Sequence, residues 1–205
     1  CESSAVHAKM LAEALALMKR TYGDIPFLTL AGNHDIRQGE HRQGEYENYR
    51  KDICHWHSSV LGCTIDDLTF SFCNGPDLWI IADYNRPNIP LIEMLLSEHK
   101  DARYTIFCTH GAVLTNGNRS ARRWFFLGNP QYNTITGKKL SQTELDAELP
   151  AWNAARRQIR RMLAERDAIV LSGHSHLLEL RDWFGDGGRI TCLLYTSPSP
   201  RDATL

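Results

Sequence analysis

The sequence predicts an α/β protein, because short apolar runs alternate with segments of helical periodicity along its 205 residues. Three of these runs, residues 27–31, 104–109 and 168–172, are rich in Ile, Leu, Val, Phe and Thr, as buried strands are. Each run is followed at once by a short polar motif. The chain is 42% hydrophobic, which is enough for one sizeable core. We therefore expect one domain over residues 1–194.

In the first half, Ser3 or Ser4 can cap an opening helix that Gly23 ends. Its apolar positions include Val6, Met10, Leu11, Leu15 and Met18. The first strand is expected at 27–31, and a mixed helical and loop segment reaches residue 60. Two strands, 69–72 and 78–82, flank a turn at 74–77 that contains Gly and Pro, and a helix follows at 91–98.

In the second half, residues 110–141 show no regular pattern, and loops of this length in a compact domain are often functional. The next helix has Trp152, Ala155, Ile159 and Met162 at helical spacing. We interpret the arginines on its other face, Arg156, Arg157, Arg160 and Arg161, as a solvated surface. A hairpin is expected over 177–184 and 189–194, because its turn is rich in Gly. Residues 195–205, which are rich in Ser and Pro, are interpreted as a non-native or disordered tail.

Composition argues against several classes of partner. The net charge of -1 supplies no basic surface for a phosphate backbone, so a nucleic acid partner is not expected. No window approaches about 18 uninterrupted apolar residues, so no membrane span is expected. The six cysteines are dispersed and form no C-x-x-C pair. We expect mostly buried free thiols, which favours a reducing compartment such as the cytoplasm.

The polar motifs are the candidate functional residues. They are Gly32-Asn33-His34-Asp35 after the first run, His110-Gly111 after the second, and Gly173-His174-Ser175-His176 after the third. In an open α/β sheet, ligands bind at the carboxyl ends of the strands. Asn and His are suitable metal ligands, and two histidines separated by one residue can face one ion across a tight turn. The sequence therefore predicts a metal site at one edge of a sheet.

In these motifs the chain resembles the calcineurin-like metallophosphoesterase superfamily. The family pattern is Asp-x-His, Gly-Asp-x-x-Asp, Gly-Asn-His-(Asp/Glu), a single His, and Gly-His-x-His, and the last three blocks occur here in that order. The resemblance covers residues 1–194. It implies two packed mixed β-sheets flanked by helices, a four-layer sandwich, with the first strand missing from this chain.

The resemblance also assigns roles to the motif residues. Asn33, His110 and His174 would bind one metal ion, and His176 would bind a second. His34 would be the general acid that protonates the leaving group, oriented by Asp35. Neutral Asn and His ligands suit two divalent ions of Mn, Fe or Zn. The implied substrate is a phosphomonoester or phosphodiester, either a small molecule or another phosphorylated substrate, hydrolysed by metal-activated water.

The first two family blocks do not occur before Gly32, where the only acidic residues are Glu2, Glu13 and Asp24. We interpret the chain as an N-terminally truncated fragment whose missing ligands lie upstream of Cys1, and we expect the fragment alone to be inactive. One alternative is a non-catalytic scaffold of the same fold that binds a protein partner. A second metal site at His55-Trp56-His57 is also conceivable, although these histidines, with His41 and His99, more closely resemble surface or loop residues.

Overall fold

The computed structural model describes residues 4–32, 43–114, 139–173, 179–185 and 187–194, which form four helices and six strands. The order along the chain is α1 (Ser4–Tyr22), α2 (Gln43–Leu61), β1 (Phe70–Asn74), β2 (Asp77–Ala82), α3 (Ile89–Glu98), β3 (Thr105–Thr109), α4 (Gln142–Ala164), β4 (Ile169–Ser172), β5 (Glu179–Gly185) and β6 (Gly188–Leu194). Apart from the strand at 27–31, every helix and strand expected from the sequence is present, with bounds shifted by a few residues.

The six strands form one mixed sheet with the order β1-β2-β3-β4-β6-β5. β2, β3, β4 and β6 are parallel, whereas β1 and β5 pair antiparallel at the two edges. This arrangement confirms the α/β class with some antiparallel pairing. A second sheet is not among the elements that the structure describes.

One face of the sheet is covered by α3 and α4 and carries the main core. α3 starts at the Asn88 cap, whose side chain accepts a hydrogen bond from the Leu91 N–H, and Pro90 suits its first turn because Pro presets the helical φ. α4 starts with a capping box between Ser141 and Glu144. The fully buried residues of this core include Leu78, Ile80, Ile92, Phe107, Ile159, Leu163, Val170 and Ile190.

The opposite face of the sheet is covered unevenly. Over β1 to β3, Phe70, Ile81 and Ile106 are buried, and Leu28 and Leu30 pack against them. Over the edge strand β5, Leu180 is 70% exposed and Phe184 is 73% exposed. Cover on this face therefore ends partway across the sheet.

Residues 27–31, expected to be a strand, lie on this face and are not a strand. Their backbone bonds to side chains of α2: the Thr29 N–H donates to His57 Nε2 at 3.2 Å, and the Phe27 carbonyl accepts from Trp56 Nε1 at 3.2 Å. Hydrogen bonds to side chains thus take the place of the backbone hydrogen bonds to a neighbouring strand that a β-strand requires. The apolar pattern correctly indicated burial and wrongly indicated pairing.

A second, smaller core lies under α1 and α2. It joins Ala31, Tyr46, Tyr49, Ile53, Cys54 and Leu68, with Leu11 and Leu15 from α1. α1 ends at Gly23, which adopts a φ of +63° and whose N–H donates to the Lys19 carbonyl at 2.9 Å. This core holds the segment before Gly32 in place.

The five described cysteines are free thiols, and three of them, Cys54, Cys108 and Cys192, are buried as expected. Burial raises the pKa of Cys54 to about 11 and that of Cys108 to about 12. Cys63 and Cys73 are exposed, so most of the described thiols are buried but not all. Within the described ranges, no helix is long and apolar enough to cross a membrane.

Candidate active-site edge

The second and third motifs begin side by side at the carboxyl edge of the sheet. β3 and β4 are parallel neighbours, and their last residues, Thr109 and Ser172, are register partners. His110 and Gly173 come next, and the Gly173 N–H donates to the His110 carbonyl at 3.1 Å. This hydrogen bond extends the pairing of the two chains one step past the strands. Parallel alignment therefore brings the first residues of these two motifs, His110 and Gly173, next to each other at the carboxyl edge of the sheet.

Of the six predicted site residues, only His110 lies among the residues that the structure describes. Asn33, His34, Asp35, His174 and His176 lie outside them. The glycines that precede these motifs, Gly32 and Gly173, are described, and Gly32 is buried. The positions of the other ligands and of the general acid remain predictions from the sequence.

His110 contacts the end of β2 as well as β4. Its ring meets the Tyr84 ring edge-on, with centroids 5.3 Å apart and an interplanar angle of 87°. Tyr84 is fully buried, and burial raises the pKa of its phenol above the usual range. The Tyr84 ring thus fixes one side of the His110 imidazole. An imidazole held in this way is suited to a directional role such as metal binding.

Asp83, which follows β2, is a buried carboxylate that the motif analysis did not identify as part of the site. Its Oδ2 accepts from the Tyr46 hydroxyl at 2.5 Å, and its Oδ1 accepts from the Asn85 N–H at 2.8 Å. Burial raises the pKa of Asp83, although the hydrogen bonds from Tyr46 and Asn85 act in the opposite direction. The sequence does carry one feature that could have identified Asp83: it directly follows the apolar run 78–82, so it lies at the end of a strand, at the same edge as His110.

Tyr46 connects Asp83 to α2, the helix that follows the first motif in the chain. Burial, followed by the nearby charge of Asp83, raises the pKa of Tyr46, so the phenol remains a hydrogen-bond donor. The Arg86 guanidinium lies 3.9 Å from the centroid of the Tyr46 ring and 4.0 Å from Glu47 of α2. These contacts anchor α2 to the carboxyl end of β2.

Several buried polar atoms at this edge have no hydrogen-bond partner in the described part of the chain. They are the side-chain amide N and O of Asn85, the Thr109 hydroxyl and the Ser172 hydroxyl. These residues are 5%, 0% and 6% exposed, so bulk water does not satisfy them. Native proteins rarely leave such groups without a partner, and their clustering at the ends of β2, β3 and β4 marks this edge as a polar site.

The fit of a metal to this edge depends on the donors present. No group of three or more His, Cys, Asp or Glu side chains that could hold an ion occurs within the described residues. His110 is the one predicted ligand there. The orphaned polar atoms beside it are the observation that agrees with a bound ion or its hydration shell at this edge.

The alternative metal site at His55-Trp56-His57 is wrong. These residues belong to α2, where positions two apart point about 200° away from each other. His55 is exposed, whereas His57 is only 1% exposed and accepts the Thr29 hydrogen bond. Burial lowers the pKa of His57 to about 4. The expectation that His57 is a surface residue is therefore also wrong.

No protein-family model matches the chain, and no curated protein is significantly similar to it in sequence. The resemblance therefore rests on the motifs and their order along the chain.

Proposed function

We propose that the chain belongs to a metal-dependent phosphoesterase that hydrolyses a phosphomonoester or phosphodiester. The observation that carries the proposal is the hydrogen bond from the Gly173 N–H to the His110 carbonyl at 3.1 Å. It joins the start of the Gly-His-x-His block to the single-His block at the carboxyl edge of parallel strands. Such an edge is where an α/β protein assembles a site from separate motifs.

In this proposal Asn33, His110 and His174 hold one divalent ion and His176 helps to hold a second, with Mn, Fe or Zn as the ions that suit these donors. When bound, such ions would supply an activated water molecule and charge to offset that of the phosphoryl oxygens. His34 donates a proton to the departing oxygen of the ester, and Asp35 holds the His34 imidazole in the donating orientation. Tyr84 restricts the orientation of the His110 ring.

We also propose that the whole protein has the four-layer architecture of two packed sheets. Leu28 and Leu30 support this, because they pack on the face of the sheet opposite α3 and α4, where the second sheet of a sandwich would lie. The partly covered apolar face over β4 to β6 agrees with additional cover in that layer. In this architecture residues 27–31 would pair with a neighbouring strand of the second sheet.

The test uses the longer protein that the resemblance implies, with the Asp-x-His and Gly-Asp-x-x-Asp blocks present. We expect it to hydrolyse p-nitrophenyl phosphate or bis-p-nitrophenyl phosphate with Mn²⁺ and to lose this activity in EDTA. His34→Ala should lower kcat about 100-fold or more, because proton donation to the leaving group is lost, without lowering metal content. His174→Ala should lower the metal content measured by elemental analysis.

His55→Ala is the matched control, since His55 is an exposed histidine of α2. It should retain both activity and bound metal. Unchanged kcat in metal-loaded His34→Ala would contradict the assignment of the general acid. Metal binding without any esterase activity would contradict the enzyme and support the scaffold that binds a protein partner.

A further inference from the structure

Cys73 and His99 form a thiol–imidazole pair at the end of the sheet that lies away from the candidate active site. Cys73 belongs to the edge strand β1, and His99 directly follows the last residue of α3. The Cys73 Sγ lies 3.7 Å from His99 Nδ1, which is within hydrogen-bond reach for sulfur. Cys73 pairs with Leu78 near the start of β2, whereas the candidate site follows the end of β2. The pair is therefore independent of the proposed esterase chemistry.

The backbone of His99 is fixed by three hydrogen bonds. Its N–H donates to the Leu95 carbonyl at 3.1 Å, and its carbonyl accepts from the Ala102 N–H at 3.1 Å and from Arg166 Nη2 at 2.5 Å. Leu95 is a buried residue of the main core, so the imidazole is attached to a rigid part of the fold. A base held beside a nucleophile is the arrangement that activates cysteine for covalent chemistry.

The Cys73 thiol is free and exposed. Reactive cysteines are accessible thiols with a base or a cation beside them, whereas thiols buried in apolar surroundings are inert. Cys63 is also free and exposed, but no residue in the described ranges hydrogen-bonds to its thiol. Of the two exposed thiols that the structure describes, Cys73 is thus the one with a base next to it.

We propose that Cys73 is a site of S-thiolation, the formation of a mixed disulfide with a low-molecular-weight disulfide, and that His99 is the base. The Cys73 sulfur attacks one sulfur of the small disulfide, and its proton passes to His99 Nδ1. A new S–S bond forms to Cys73 while the S–S bond of the small molecule breaks. The other half leaves as a thiolate and takes the proton from the imidazole. One thiol and one disulfide thereby become a mixed disulfide and a thiol, so the small disulfide is the only oxidant required.

The experiment treats the chain with glutathione disulfide at neutral pH and follows each cysteine by mass spectrometry. Cleavage before aspartate separates the two exposed thiols, because Asp66 and Asp67 lie between Cys63 and Cys73. We expect Cys73 to react about tenfold or more faster than Cys63, a smaller gain than the roughly 100-fold of a base in an enclosed active site. The buried thiols should remain unmodified, which shows that the chain stays folded during the reaction.

His99→Gln removes the base while keeping a polar side chain of similar size. It should slow the reaction of Cys73 to about the rate of Cys63 and leave the rate of Cys63 unchanged. His99→Ala should slow Cys73 as well, although it uncovers the thiol. His55→Gln is the matched control, since His55 is an exposed histidine of α2, and both rates should equal those of wild type.

These variants separate a base from a shield. If the His99 ring only covered the thiol, its removal would raise the rate at Cys73 rather than lower it. An unchanged or higher rate at Cys73 in His99→Gln would therefore overturn the proposal. So would equal rates at Cys63 and Cys73 in wild type, or the absence of any mixed disulfide at Cys73.

Discussion

His57 is a buried histidine that serves as a backbone partner. Its Nε2 accepts from the Thr29 N–H at 3.2 Å and lies 3.3 Å from the Thr29 hydroxyl. An accepting Nε2 carries no proton, so the ring is neutral with its proton on Nδ1. A single side chain of α2 thereby holds the segment before Gly32 against the helix.

We predict that His57 makes folding sensitive to acid. Burial lowers its pKa to about 4 in the folded chain, from the ordinary value of 6.5 that applies once the chain unfolds. Between these values the unfolded chain binds a proton that the folded chain excludes. The free energy of unfolding should therefore fall by up to about 3 kcal/mol as the pH drops through this window. Urea unfolding at pH 7.5 and 4.5 measures this loss in wild type and in His57→Gln, where it should be smaller.

The control for this experiment is His55→Gln, since His55 is exposed on the same helix and lies outside the buried contact. It should lose as much stability on acidification as wild type does. An equal loss in wild type and His57→Gln would contradict the prediction.

For individual residues, the sequence predicted some positions at the site and missed others. His110 follows a strand as expected, because an apolar run that ends in a polar motif identifies the end of a strand. Asp83 was not assigned to the site. Its carboxylate accepts a hydrogen bond from the Tyr46 hydroxyl and its backbone N–H donates to the Thr69 hydroxyl, and both partners lie far from it in sequence. No local pattern encodes such a pairing.

Among the elements, α4 has the most explicit start signal. The Ser141 hydroxyl accepts from the Glu144 N–H, and Glu144 Oε2 accepts from the Ser141 N–H at 2.8 Å. These bonds satisfy backbone donors that a helix start otherwise leaves without partners. Since α4 supplies Ile159 and Leu163 to the core, its first turn affects global stability.

We predict that Ser141→Ala lowers the free energy of unfolding by about 1 kcal/mol, because it removes the capping oxygen. Chemical denaturation followed by circular dichroism measures the change. Ser97→Ala, at an exposed position inside α3, is the control and should change stability by less than about 0.5 kcal/mol. Equal effects of the two substitutions would show that the capping box does not stabilise α4.

The elements also show where periodicity succeeds and fails as a predictor. Strands β1 to β4 and the β5–β6 hairpin were predicted, because their apolar residues are bounded by turns and polar motifs. Residues 27–31 have the same apolar character and are not a strand. Apolar pattern reports burial, and Leu28 and Leu30 are indeed packed against the sheet. Pairing depends on a neighbouring strand, which the pattern of one segment cannot specify.

At the scale of the whole molecule, the order of strands differs from their order in the chain. β6 lies between β4 and β5, so the last described strand is internal to the sheet and β5 forms the edge. The sequence predicted the hairpin but not which of its strands would join β4. That choice depends on Ile190 and Cys192, which are fully buried in the main core.

We predict that a variant ending at Gly187 loses cooperative thermal unfolding. It lacks the strand that pairs with both β4 and β5, together with the core side chains of Ile190 and Cys192. A variant ending at Leu194 is the control and should keep the wild-type midpoint, because residues 195–205 are predicted to lie outside the domain. Circular dichroism during heating compares the two. A wild-type midpoint for the shorter variant, or a large drop for the longer one, would contradict the prediction.

The orphaned polar atoms of Asn85, Thr109 and Ser172 imply a conflict between stability and activity. An unsatisfied buried group costs about 1–3 kcal/mol, and an apolar side chain of similar shape would avoid this cost. A chain selected for stability alone would carry Val in place of Thr109 and Ala in place of Ser172. These polar side chains lie at the edge where His110 and Gly173 follow neighbouring strands. Replacing them would therefore be expected to stabilise the fold at the expense of the polar edge where chemistry is proposed to occur.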